Sequence, residues 1–378
     1  MLQSLFRESF SLFYLAITAK VFLLFAAERL AQRMATQNNT GLAGRLACFV
    51  LFALAIFAAH NIALMNSFYQ EYAFFLLLPV MLVALMSLEA PRWRVALVMA
   101  ALMCGLAKIQ FFYVPVLVVG ALAYLRVACK HRLDAGLVGA LLLVQAVCVT
   151  PLLRYSEYTA TNRYNATFYG SYVVMTDAEI DSLGLTAEQR ACIGVDAWGN
   201  RADDATAAQI TAGHKTCITK EALPLGRVIT PYVANPSLLF RLLTTISPEH
   251  YSSSYFHVSR GNRYLTSIRH DGEFGTGKAL IAVSSVRDLW FLHGGFLLTA
   301  VLGLALPLVF RRQIPAGVAA VSLLLLVFAL SQVVVCILGE GIRDLGRHLS
   351  AAQYAMDLLL VTCSIQAGCL VHSWARTR

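Results

Sequence analysis

Three stretches of the chain concentrate side chains able to hold a phosphate or move a proton. Gly339-Glu340-Gly-Ile-Arg343-Asp344-Leu-Gly-Arg347-His348 carries two guanidinium groups, an imidazole and carboxylates within ten positions. As a helix, it would put Glu340, Arg343 and Arg347 on one face and Asp344 one turn below His348. Arginine holds phosphate oxygens in a bidentate fork, so this segment suits a lipid-linked phosphate at headgroup depth. Asn66-Ser-Phe-Tyr-Gln-Glu71-Tyr72 sets an acid among aromatic residues before an apolar run, and Lys108-Ile-Gln110 interrupts another. Asp357 lies inside the last apolar segment, where an ionisable group should face the bundle interior with Lys108 or Lys20 as its partner.

A carboxylate beside a phosphate clamp can take a proton from an acceptor hydroxyl while cations stabilise the departing phosphate. That is the chemistry of sugar transfer from a polyprenyl phosphate carrier. On this reading Glu71 and Glu340 are the catalytic carboxylates, and Arg343, Arg347, His348 and Lys108 hold the donor phosphate. Tyr69, Gln70, Gln110 and Asp357 contact substrate. A plainer reading runs beside it: Tyr69 and Tyr72 form an interfacial belt, Glu71 caps a helix start, and the Lys108 amine snorkels to water. The plainer reading is weakest for the arginine-rich stretch, because arginines on an outer face oppose the charge bias described next.

The elements that must position these groups are membrane helices. Of 378 residues, 58% are hydrophobic and 13% charged, with a mean hydropathy of +0.65. Soluble domains carry about a quarter charged residues. Apolar runs near Phe10, Leu46, Phe74, Val95, Val114, Leu137, Trp290, Val318 and Ala351 each approach the roughly 20 residues that cross a bilayer. The expected fold is all-α and polytopic, with eight or nine transmembrane helices and one large outward-facing loop domain. The ninth is the segment from Phe10 to Ala27, where Lys20 sits at the middle, so it either spans or lies flat at the interface. Membrane helices are expected over 1–152 and 289–378, with the loop domain over 153–288. Gly and Pro fall at segment ends and no internal repeat is evident, so helices broken at mid-membrane, as in many transporters, are not expected.

The loop from Leu153 to Asp288 holds 13 acidic and 13 basic residues, so the whole net charge of +9 belongs to the membrane part. Such an excess reflects cytoplasmic anchoring and excludes a nucleic-acid partner, since no basic tract with interleaved aromatics occurs. Alternate connections are basic: Arg29, Arg33 and Arg45; Arg92 and Arg94; Arg126, Lys130 and Arg132; Arg311 and Arg312; Arg376 and Arg378. The connections between them, including the large loop, then face outward, which for a bacterial cytoplasmic membrane means the periplasm or the exterior. Seven of the nine cysteines lie in or beside apolar segments, where a thiol acts as a small apolar group. Cys192 and Cys217 are alone in the loop and are expected to form a disulfide in an oxidising compartment.

Within the loop, Thr176-Asp-Ala-Glu179 and Thr186-Ala-Glu-Gln189 fit the capping box of a helix start. Asn235-Pro236 with Leu238, Leu239, Leu242 and Leu243 predicts a capped helix with an apolar stripe, and Gly261 to Gly277 reads as loop. Gly272 to Ala279 resembles a phosphate-binding loop, but it ends in alanine where the magnesium-binding hydroxyl belongs. Histidine and cysteine spacing shows no metal motif. No cofactor is called for, although a divalent metal on the phosphate stays open. Asn165-Ala-Thr167 is an acceptor sequon that matters only in a glycosylating host.

Asn66 to Glu71, Lys108 to Gln110, Tyr164-Asn-Ala-Thr-Phe-Tyr-Gly170 with Asp181 to Leu185, and Gly346-Arg-His-Leu349 together resemble bacterial polytopic glycan-biosynthesis hexose transferases of the GT-C superfamily. The resemblance implies a glycosyltransferase using lipid-phosphate sugars at the outer face of the cytoplasmic membrane. It adds Asn165 and Tyr169 to the substrate-binding set, and makes lipid-linked sugar and membrane lipid the partners. GT-C enzymes typically carry a catalytic acid in a first outer loop after an amino-terminal helix, and nothing before Ser11 matches it. The chain thus looks like such an enzyme without its front, with a partner subunit or a missing amino-terminal segment expected to supply the acid. A polymerase or ligase of membrane oligosaccharides, a transporter or flippase, and a non-catalytic assembly subunit are the competing readings.

Overall fold

The computed structural model describes residues 12–58, 61–62, 71–129, 134–153, 157–197, 223–245, 278–342 and 345–377. Among them the regular structure is helical. In chain order the helices are α1 (Leu12–Gln37), α2 (Leu42–Ile56), α3 (Glu71–Leu85), α4 (Pro91–Ala107), α5 (Val114–Cys129), α6 (Ala135–Leu153), α7 (Glu157–Phe168), α8 (Asp177–Ser182), α9 (Ala187–Ala191), α10 (Leu225–Ala234), α11 (Ser237–Thr245), α12 (Lys278–Trp290), α13 (Phe296–Val309), α14 (Ala316–Glu340), α15 (Leu345–His348) and α16 (Ser350–Thr377). Among the described residues four stretches are long and apolar enough to cross a membrane: Ile109–Val127, Ala282–Val309, Ala316–Glu340 and Ser350–Ala375. Helices α2 and α3, at 15 residues each, rise only about 22 Å at 1.5 Å per residue, short of the roughly 30 Å of hydrocarbon.

The helices fall into two compact units. One comprises residues 1–150, 251–330 and 350–378, and the other residues 151–250 and 331–349. In the first unit α3 packs chiefly on α4, α1 on α2 and α3, and α16 on α2, α3 and α13. Pro91 opens α4 at a position whose N–H would be unpaired anyway. Gln37 at the end of α1 donates from Nε2 to the Met86 carbonyl in the α3–α4 turn at 3.2 Å. Asn39, in the left-handed conformation at φ 52°, turns the chain between α1 and α2, and Arg45 of α2 pairs with Glu28 of α1. Between α14 and α16, Gln366 donates from Nε2 to the Ser322 hydroxyl at 2.8 Å, with both side chains buried.

Contrary to the sequence reading, one apolar span is broken. The stretch 282–309 passes through a single π turn at Phe291–Gly295, where Gly294 adopts φ 86°. Glycine has no Cβ to resist that left-handed conformation. Trp290 bridges the break by donating from Nε1 to the Thr299 hydroxyl at 3.2 Å. In the sequence this break is carried by His293-Gly294-Gly295.

The second unit has its own apolar core of Tyr164, Phe168, Tyr172, Ile180, Val195 and Leu223, with Phe168 stacked on Tyr164 and edge-on to Tyr172. Both capping boxes form as read: Thr176 with Glu179 opens α8, and Thr186 with Gln189 opens α9. Glu179 also ties α8 to α11. Its carboxylate accepts from the Arg241 Nη atoms at 2.7 and 3.0 Å and from Asn235 Nδ2 at 2.8 Å. The Arg241 guanidinium, followed by the Thr176 backbone N–H, holds the Glu179 carboxyl at about 2. Asn235 caps α11 through Ser237, and Leu238 and Leu242 of the expected stripe are buried.

Candidate functional site

Glu71 is the first residue of α3, where a negative charge meets the partial positive charge of the helix start. Lys108 stands in extended backbone between the end of α4 and the 3-10 turn Ile109–Phe111. That break turns the lysine inward: its Nζ lies 2.5 Å from Glu71 Oε1. With Glu71 1% and Lys108 7% exposed, the pair is an internal one and the snorkelling alternative for Lys108 does not hold. Gln110, one step along the same turn, is buried with its Nε2 lacking a hydrogen-bond partner. A buried amide donor without an acceptor costs about 1–3 kcal/mol, so Gln110 presents an N–H that a bound oxygen would satisfy.

An aromatic cluster begins one turn on from each member of the pair, with Phe74 after Glu71 and Phe111 after Lys108. Phe74 stacks on Phe111 and on Phe328, at centroid distances of 4.9 and 4.4 Å, and Tyr113 stacks on Phe328 at 6.0 Å. Phe75 stacks on Tyr354, whose hydroxyl donates to the Phe75 carbonyl at 3.3 Å. Low-polarity surroundings of this kind strengthen the field between Glu71 and Lys108 and raise the cost of leaving either one alone.

The same unit holds a second buried charge cluster. Arg287 donates from Nε to Asp357 Oδ1 at 2.8 Å and from Nη1 to Asp288 Oδ1 at 2.9 Å, and its guanidinium carbon lies 4.6 Å from the Phe291 ring centre. Asp357 does face the bundle interior, but its expected partners, Lys108 and Lys20, are replaced by Arg287. Sequence reading missed this arginine because it placed residue 287 in the loop, whereas α12 begins at Lys278 and carries Arg287 into the bundle.

In the second unit the arginine-rich stretch does not form one helix. Gly341, at φ 64°, ends α14 with its N–H on the Ile337 carbonyl. A Cβ there would meet the Tyr169 and Asn165 carbonyl oxygens at 2.6 and 2.7 Å. Glu340 therefore belongs to the preceding helix, and the expected shared face with Arg343 and Arg347 is lost. Instead Glu340 Oε2 lies 2.6 Å from His348 Nε2, with His348 buried. The His348 carbonyl accepts from Cys336 Sγ at 3.2 Å.

The remaining expected positions divide plainly. Asn165 is fully buried and its Oδ1 accepts from the Ala197 N–H at 2.8 Å. It anchors backbone, and the sequon at 165–167 is closed to a glycosylating enzyme. The Tyr169 carbonyl accepts from the Ile342 N–H at 3.1 Å. Tyr69, Gln70, Arg343, Asp344 and Cys217, the Arg347 side chain and the expected loop over 261–277 lie outside the described residues. Cys192 is buried at the end of α9. No group of three or more His, Cys, Asp or Glu suited to a metal occurs among the described residues.

Residues 1–377 match the family described as the YfdI N-terminal transmembrane domain. The chain belongs to that family. Among members of known sequence, "Uncharacterized protein YfdI" of Escherichia coli (strain K12) is 26% identical over 321 residues, covering 82% of this chain and 67% of the relative. No solved structure matches. The YfdI-type transmembrane domain agrees with the four apolar spans, and that description names no reaction.

Proposed function

We propose that this chain is a membrane glycosyltransferase that moves a sugar from a polyprenyl-phosphate donor to a glycan or lipid acceptor at the outer face of the bacterial cytoplasmic membrane. The supporting observation is the buried Glu71–Lys108 pair at 2.5 Å beside the unsatisfied Gln110 amide. In the proposed step an acceptor hydroxyl gives its proton to Glu71 as its oxygen bonds to the anomeric carbon. The bond from that carbon to the phosphate oxygen breaks, and the electron pair leaves with the polyprenyl phosphate. Lys108 stabilises the developing charge, and Gln110 donates to a donor or acceptor oxygen. In the other unit Arg343, Arg347 and His348, the last tethered by Glu340, form a separate candidate group for binding a phosphate.

The finer architecture belongs to the same proposal. Helix α1 and the shorter helices α2, α3, α4 and α6 complete a GT-C-like set of eight or nine spans. The loop from 153 up to α12 faces the periplasm with Cys192 joined to Cys217. Peptide mapping without reductant should recover the two cysteines in one linked product, whereas free alkylation of both would overturn the disulfide.

The decisive assay is sugar transfer by the reconstituted protein from a panel of polyprenyl-phosphate sugars. Loss of a general base lowers turnover by about 10²–10⁴-fold, so Glu71→Gln should fall in that range and Arg347→Ala should weaken donor use. Unchanged turnover in both variants would overturn the proposal. The π break within 282–309 and the buried Arg287–Asp357 pair favour a second reading, transport of a lipid-linked sugar, since broken helices and intramembrane charges mark such pathways. Donor translocation without transfer to any acceptor would select it.

A further inference from the structure

Helices α10 and α11 carry more apolar surface than their own unit covers. Along α10 each step of four advances about 40° around the axis, so Val228, Tyr232, Leu225, Ile229 and Val233 form one unbroken apolar arc. The core takes only Val228 and Tyr232. Leu225 and Ile229 are exposed, and Val233 is 73% exposed. On α11, Leu238 and Leu242 are buried while Phe240 is 69% exposed. Arg227 and Thr230 stand on the far side of α10 from the uncovered arc and are exposed.

Two further features specify what covers this arc. From Leu223 to Thr245 the chain has two arginines and no acid, and Arg241 is held by Glu179. The exposed charge of the hairpin is therefore the single cation Arg227, as suits an anionic headgroup layer. This unit is also continuous in sequence with membrane-crossing helix: residues 331–340 are the last turns of α14, and α16 begins at Ser350, directly after the unit ends.

We propose that α10 and α11 form an interfacial hairpin that lies on the membrane, with Leu225, Ile229, Val233 and Phe240 immersed at the boundary between headgroups and acyl chains and Arg227 turned to the phosphates. The hairpin fixes its unit to the membrane surface without crossing it. Glu179 sets its posture by holding Arg241 and Asn235 together.

The test uses the full chain in nanodiscs containing phosphatidylglycerol and a phosphatidylcholine with a diazirine at mid acyl chain, and maps the photo-adducts by mass spectrometry. Adducts should be several-fold more abundant at Val233 and Phe240 than at Thr230 and Ala234 on the same hairpin. The conservative pair Val233→Ser and Phe240→Ser should keep the protein folded, by unchanged circular dichroism, and lower adducts at the neighbouring Ile229. Equal, background-level labelling of both faces would overturn the proposal. It would also be overturned if Val233 and Phe240 were protected from hydroxyl radicals in the same nanodiscs yet carried no lipid adduct.

Discussion

The cluster of Arg287, Asp357 and Asp288 makes an asymmetric prediction about stability. Replacing Arg287 by methionine removes the cation that joins Asp288 to the buried Asp357. Removing one member of a buried pair costs about 3–5 kcal/mol. Asp357→Asn should cost less, about 1–3 kcal/mol, because the amide oxygen still accepts from Nε and Asp288 at 2.9 Å still balances the charge. The double variant Arg287→Met, Asp357→Leu removes both charges in favour of apolar volume and should recover most of the loss. For a membrane unit of this size a kilocalorie moves the midpoint by about 2 °C. Arg287→Met should therefore fall by about 6–10 °C and Asp357→Asn by about 2–6 °C, with the double variant between wild type and Asp357→Asn. Thermal unfolding in nanodiscs, followed by size-exclusion of the labelled protein, measures this order. If the double variant lost as much as the two singles combined, or Asp357→Asn lost more than Arg287→Met, the account of the cluster as mutually compensating charges would be refuted.

Acid should loosen the link between α8 and α11. The Glu179 carboxyl is depressed from 4.5 to about 2 by Arg241 first, so its stabilisation is complete above about 4.5 and fades as pH falls toward 2. Amide exchange in α8 and α11 should follow that window, and Arg241→Ala should remove most of its pH dependence by bringing the folded value back toward 4.5; exchange that is flat from pH 5 to 2 in the unsubstituted protein would contradict it. Gly341→Ala should destabilise by about 1–3 kcal/mol or more, from the left-handed backbone and its collision with the Tyr169 and Asn165 carbonyls. Gly339→Ala, in the last turn of α14 with nothing within 4 Å, should instead stabilise by about 0.5–1 kcal/mol. Equal midpoints for these two variants would remove the role given to Gly341.

Hydropathy found the helices readily: each of the nine apolar runs falls on a helix, because continuous apolar sequence leaves the backbone no partner but itself. Among the described residues four of the runs are long enough for an upright span. The two capping boxes were legible for the opposite reason, because their bonds are local and depend on spacing alone. Pairings across the bundle were not legible. Glu71 and Lys108 are 37 positions apart and Arg287 and Asp357 are 70 apart, and only packing decides which of several intramembrane charges meet. The break after Glu340 turns on one glycine at positive φ, which a helix template passes over when charged residues on either side keep the expected period.

The hydrogen bond between Gln366 and Ser322 has a consequence for biogenesis. Hydrocarbon offers no preference for one vertical setting of a greasy rod over another, and these two groups supply it. If the final rod settled one turn too high or too low, about 5.4 Å, an amide and a hydroxyl would each be stranded without water. Helix α16 therefore has a single comfortable depth against α14, and a chain arrested elsewhere would expose a polar blemish that membrane quality control can detect.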